Sequence, residues 1–231
     1  IEGANVQNTT ANDLRSASLK SLQDANKDLT ISYTLPVLPT GLTAAGQAVV
    51  ESGLKAGVDV GGVNIMTMDY GDSAAPMSKG KSMGDYAIDA ATSTYNQMVD
   101  LFKDYKQDFG WNQIGITPMV GVNDVHDEVF FIADAKQVLD FGHEKGVGML
   151  SMWELTRDVP MPETQTYYSL PGDTGLTGNS ASTNPKAIKD PAYIKGGFTK
   201  TWFPYSPNSP SSSFWDQSFA PYVDFAGWCS D

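Results

Sequence analysis

Residues 63-VNIMTMDYGD-72 form an apolar run of strand composition that stops abruptly at Asp69, Tyr70 and Asp72. Two similar runs follow, 115-GITPMVGVND-124 and 147-VGMLSMWELTRD-158, and one precedes, 29-LTISYTLPVLP-39. Near-continuous apolar strands arise where helices cover the faces of a parallel sheet. Each run here finishes in polar or aromatic residues, and helix-length segments lie between the runs. The pattern describes a parallel α/β enzyme whose chemistry sits at the carboxyl ends of its strands.

Working outward, residues 9–26 place Leu14, Ala17, Leu22 and Ala25 between polar residues, which predicts a surface helix over that face. A strand at 29–35 ends at Pro36 and Pro39, and Thr43 is the expected N-cap of a helix over 44–54. A strand over 62–69 leads into a Gly-rich loop. A helix over 85–106 then carries Ile88, Ala91, Tyr95, Met98 and Phe102 at packing positions. A strand at 113–120, a helix near 132–143 and a strand at 147–153 complete the repeat. Connections of this kind are right-handed and lie side by side. The pattern alone fits either a (β/α)8 barrel or an open doubly wound sheet.

Composition narrows the chemistry. The 231 residues are 41% hydrophobic, enough for a substantial core. Twenty-seven acids against 15 bases give a net charge of -12 with no basic run, which disfavours nucleic acid and anionic substrates. Only 18% of residues are charged, while five Trp and ten Tyr leave room for aromatic surfaces of the kind that stack on sugar rings. Cys229 is the sole cysteine, and His126 and His143 are the only histidines, so zinc or a His-dependent triad has little to build on. No GxGxxG follows a strand, and no GxxxxGK occurs. No cofactor and no metal are expected, nor is a membrane span.

The strand ends resemble those of the glycoside hydrolase family 18 chitinases, in particular the compact bacterial type. In that family a fourth strand ends in D-x-x-D-x-D-x-E, whose Glu donates the proton, and Ile1-Glu2-Gly3 resembles its close. The segment 31-ISYTLPVLPTGLT resembles the fifth strand. Met66-Thr67-Met68-Asp69 resembles the sixth-strand M-x-Y-D, with Met68 in the Tyr position and Tyr70 one place beyond the Asp. Residues 115–124 and 147–158 resemble strands seven and eight, and 219-FAPYVDFAGW-228 resembles the first strand.

The resemblance implies an incomplete (β/α)8 barrel, either a fragment or a circular permutant. Residues 1–158 would be the C-terminal part of the catalytic barrel. Residues 159–218, with SPNSPSSS at 206–213, would be an extension and linker, and 219–231 a displaced first strand. Six strands do not close an eight-stranded barrel. A complementary chain, or further segments, is therefore expected to supply the missing strands and cover the open edges.

It also implies retaining, substrate-assisted hydrolysis of chitin or N-acetylglucosamine oligosaccharides outside the cell. Glu2 would be general acid and base, and the substrate acetamide the nucleophile. Asp69 and Tyr70 would hold the acetamide, and Met66 and Met68 would form its apolar cup. Met66, Met68 and Tyr70 share one face of a continuous strand and Asp69 the other, so the strand is expected to end at Met68. Trp153 would floor the sugar subsite. Tyr33, Met119, Asn123 and Glu154 would contribute contacts from other strand ends, and Trp228 would line the mouth. Trp202 and Trp215 would serve as a further sugar platform or as linker anchors. Alone, without the acids before Glu2, the chain is expected to be inactive. The alternatives are a non-catalytic chitin- or glycan-binding barrel and an endo-β-N-acetylglucosaminidase.

Overall fold

The computed structural model describes residues 1–125, 127–154, 158 and 202. Segments 206–213 and 219–231, with Trp215 and Trp228, lie outside the described residues.

Four strands form one parallel sheet in the order of the chain: β1 (Ile31–Pro36), β2 (Val60–Met66), β3 (Ile114–Thr117) and, after an intervening hairpin, β6 (Met149–Leu150). A doubly wound sheet reverses its order at a switch point, and no reversal occurs here. The helices α1 (Thr9–Ala25), α2 (Ala44–Lys55), α3 (Met83–Asp104) and α4 (Ile132–Lys145) pack as successive neighbours, with α2 on β1 and β2 and α3 on β3. A sequential parallel sheet with neighbouring helices in the same order is part of a (β/α)8 barrel, and the open-sheet alternative falls away.

Alternation along the strands separates two faces. Ile31, Tyr33, Leu35, Val63, Ile65, Ile114 and Ile116 are buried in the core shared with the helices. The opposite face carries Ser32, Thr34, Asn64, Met66 and Thr117. Asn64 Nδ2 donates to Thr34 Oγ1 at 3.3 Å and the Thr117 hydroxyl donates to Asn64 Oδ1 at 2.8 Å, which ties three strands through one row. Gly115 belongs to this layer, because a Cβ there would lie 2.7 Å from Asn64 Oδ1.

Local signals set the helix ends. The Thr43 side chain accepts the Gly46 amide at 3.2 Å, as expected for an N-cap. Ser82 and Asp85 form a reciprocal capping box, which starts α3 two residues before the expected boundary. Gly146, at φ 71°, closes α4 in the left-handed conformation that glycine adopts without Cβ strain.

Three expectations change. The face of α1 predicted to be buried is outermost: Leu14 is 66% exposed and Leu22 52%. The buried residues are Asn12 and Ser16. Asn12 Nδ2 reaches Val6 O, and the Ser16 hydroxyl pairs with Ser52 on α2, which also donates to Asp13 at 2.6 Å. Small hydroxylated side chains let the two helices approach, and their satisfied hydrogen bonds outweigh a sparse apolar stripe.

The second change is at β2, which ends at Met66 rather than Met68. Its ladder gives one further bond, Thr67 N to Thr117 O, and the Met68 amide then turns back to Met66 O. The third is at β3, which ends at Thr117 rather than Val120 and is followed by a short antiparallel hairpin, β4 (Gly121–Val122) with β5 (Val129–Phe130).

Candidate functional site

The carboxyl ends of the strands carry most of the residues singled out in the sequence, in different settings. The nitrogen of Ile1 donates to Thr34 O at 2.7 Å, so the extended Ile1–Glu2 segment lies beside the end of β1. Glu2 is exposed there. Met66 lies on the inner face, partly exposed, in register with Thr117. Beyond β3, Met119 forms a parallel bridge with Trp153, and the Trp153 amide donates to Pro118 O at 2.8 Å. The Trp153 ring is 53% exposed although its backbone is fixed on both sides. That combination presents a flat apolar plate to solvent. Glu154 follows it, partly exposed.

The turn after β2 joins the loop after β3. Asp69 takes φ 51°, a left-handed conformation uncommon for a residue with a side chain. Its amide points to Asn123 Oδ1 at 3.4 Å, and its Oδ1 accepts the Val125 amide at 3.0 Å. Asn123 is fully buried, and its Nδ2 donates to Met119 O and Gly121 O. Met68 is buried beside this turn.

Glu128, which the sequence reading does not single out, closes the arrangement. Its Oε1 accepts the Gly71 amide at 2.7 Å and its Oε2 the Tyr70 amide at 3.1 Å. The residue is 1% exposed. Loss of water pushes its carboxyl up to about 7; the two amide donors oppose that rise, and the charges of Asp69 and Asp72 add to it. A lone Glu in a loop among Asp124 and Asp127 has no periodicity to mark it. The only available signal was a cluster of acids opposite the acids of the preceding strand end.

Tyr70 and Tyr33 are placed away from solvent. The Tyr70 ring packs edge-on against Tyr86 with centroids 6.2 Å apart. Burial, with the Glu128 charge nearby, raises its phenol well above the ordinary range, so it is a neutral hydroxyl at physiological pH. Tyr33 points to the helical layer, where a Cβ on Gly53 would lie 2.3 Å from its hydroxyl. The structure thus gathers Asp69, Tyr70, Asn123 and Glu128 into one network and sets Met119 beside Trp153. It leaves Tyr33 on the far side of the sheet. Trp202 is an anchor: it is buried, and its Nε1 donates to Ala135 O on α4 at 2.9 Å.

The arrangement offers an apolar plate, a partly exposed thioether and carboxylates along one rim, which suits a neutral, hydroxylated ligand. Among the described residues no cluster of three or more His, Cys, Asp or Glu is placed to hold a metal. No described helix is long and apolar enough to cross a membrane.

Comparison with known proteins shows what the chain is similar to. The chain is 37% identical over 167 residues to a probable bifunctional chitinase/lysozyme of Escherichia coli K12, a match covering 69% of this chain and 19% of that protein. Endochitinase 11 of Metarhizium anisopliae matches at 37% over 167 residues, with 32% of its length covered. The chain therefore spans between about a fifth and a third of these curated relatives. Among solved structures, active domain 2 of the thermostable Pyrococcus furiosus chitinase, studied as catalytic-site mutants with chito-oligosaccharides, superposes with a TM-score of 0.61. It is 27% identical, and the match covers 84% of this chain and 58% of that one. The catalytic domain of the hyperthermophilic enzyme from the same organism gives 0.60. No family profile matches the chain. The fold is that of an incomplete (β/α)8 barrel, as in these chitinase structures. The chain is homologous to the family 18 chitinases.

Proposed function

We propose that this chain supplies the acid-bearing side of a site that hydrolyses β-1,4-linked N-acetylglucosamine polymers outside the cell, with residues 1–158 as part of the catalytic barrel. The observation that carries the reading is the extended Ile1–Glu2 segment held beside β1 through Thr34 O at 2.7 Å. That contact supports an exposed carboxyl beside β1, the strand whose last residue pairs with Met66.

In this reading Glu2 protonates the leaving glycosidic oxygen and then takes the proton of the attacking water. The substrate acetamide oxygen closes on the anomeric carbon, an intramolecular attack favoured because its atoms are already tethered. Asp69, partly exposed at the turn, holds the acetamide, with the buried Tyr70 packed behind it against Tyr86. Met66 meets its methyl group, with Met68 packed beneath the turn, and Trp153 stacks on the sugar face. A complementary segment closes the barrel along β1.

The test is turnover of an N-acetylglucosamine tetramer by Glu2→Gln with the barrel complete. Loss of general acid catalysis lowers kcat by roughly 10²–10⁴-fold, with binding retained. Wild-type turnover in the variant overturns the reading.

A further inference from the structure

The left-handed Asp69 requires an explanation. A non-glycine residue in that region costs about 1–3 kcal/mol and persists only where its surroundings over-determine it. Here the restraints come from one loop. Asp69 is bound through both its amide and its carboxylate to Asn123 and Val125, while the next two amides, Tyr70 and Gly71, converge on the two oxygens of Glu128. Adjacent amides aimed at one point form an anion-binding nest, and a side chain of the same protein fills it. Glu128 is itself fixed, with its amide donating to Val125 O and its carbonyl accepting the Asn123 amide, each at 2.9 Å.

We infer that Glu128 is a positioning residue: its buried carboxylate locks the Met68–Gly71 turn and thereby sets the direction in which Asp69 meets the sugar. The clamp follows from geometry alone, whereas its consequence for the sugar rests on the function proposed above. Among the described residues, Asp69 and Asp72 on the turn and Tyr70 bear electrostatically on Glu128, and its carboxylate is met by the Tyr70 and Gly71 amide dipoles. Protonation removes one of its two acceptor oxygens, and the turn then loses an amide bond. With the carboxyl raised to about 7, that loss falls within the ordinary working range.

Glu128→Gln mimics the protonated state. It keeps one acceptor oxygen and presents an NH2 group to the other amide. The first readout is hydrogen exchange at the Tyr70 and Gly71 amides, corrected for intrinsic rate, between pH 5.5 and 8.5. At pH 8.5 the wild-type chain should protect these amides at least tenfold better than the variant, and the difference should vanish by pH 5.5. The second readout is the affinity for an N-acetylglucosamine tetramer, expected to be about tenfold weaker in the variant at pH 8.5 and equal at pH 5.5.

Equal protection in both proteins at pH 8.5 overturns the clamp. Lost protection with unchanged tetramer affinity overturns its role toward the sugar. If the wild-type protein, with the barrel complete, neither binds nor cleaves the tetramer, the parent reading fails and the sugar role fails with it, while the amides still decide the clamp. Should the variant not fold, the wild-type pH series alone decides: pH-independent protection overturns the clamp.

Discussion

The Thr117 hydroxyl donates to Asn64 Oδ1 at 2.8 Å, tying β3 to β2 on the inner face of the sheet. Both residues are at most 9% exposed. Replacing Asn64 with Leu preserves bulk but removes the acceptor for Thr117 and the donor to Thr34. A buried hydroxyl left without its partner costs about 1–3 kcal/mol. Urea unfolding of Asn64→Leu should show that loss; a change below about 0.5 kcal/mol would mean that the row is incidental to stability.

Tyr33 is buried with a hydroxyl that has no hydrogen-bond partner among the described residues, and Ser16, which bears on it, is committed to Ser52 at 2.9 Å. Removing an unsatisfied polar atom is neutral or stabilising, by up to about 1 kcal/mol. Tyr33→Phe should therefore fold at least as well as the parent and leave sugar affinity unchanged, since the ring lies on the helical side. Gly53→Ala drives a methyl into that hydroxyl and should destabilise by about 1–3 kcal/mol. The double variant should recover part of that loss, a coupling that a double-mutant cycle measures directly.

These two cases show what the sequence makes legible. The parallel α/β class, the four helices and the Thr43 cap were readable because strand runs and caps are local signals carried by adjacent residues. The orientation of α1 was not, because Leu14 and Leu22 suggest an apolar stripe while the deciding contacts, Ser16 with Ser52 and Asp13 with Ser52, join residues 36 and 39 apart. The end of β2 was misplaced by two residues for a similar reason. Asp69 leaves the strand conformation because partners more than 50 residues away hold it there. Glu128 left only a cluster of neighbouring acids as a signal, since a buried carboxylate in a loop is defined by the amides it meets. Trp153 was recognisable as a strand-end aromatic, but its exposure became known only from the fold.

That exposure separates binding from stability. Trp153 is 53% exposed, so truncation to Ala leaves most of the core contacts intact and should change unfolding free energy by less than about 1 kcal/mol. If the ring is the sugar plate, losing it should cost roughly 1.4–2.8 kcal/mol of binding, or about 10–100-fold in Kd. Calorimetric titration of the completed barrel with an N-acetylglucosamine tetramer reads both the affinity and the enthalpy. An unchanged Kd would move the sugar plate away from Trp153.

Glu128 gives stability a pH dependence of defined sign. Its carboxyl is raised from the ordinary 4.5 to about 7 in the folded chain. Between those values the folded state holds more protons at this site than the unfolded state, so the unfolding free energy falls as pH rises. The contribution is fully present below pH 4.5 and lost above about 7. At about 1.4 kcal/mol per pKa unit, the change is on the order of 3 kcal/mol. The charged form that secures the Met68–Gly71 turn is thus the form that lowers global stability, a trade expected where a site demands a buried charge. Glu128→Gln cannot ionise and removes this slope. Urea unfolding of both proteins from pH 4 to 8.5 should show the wild-type free energy falling relative to the variant across the window, with other titrating groups cancelling in the difference. Two curves that run parallel throughout would show that Glu128 keeps an ordinary carboxylate affinity for its proton.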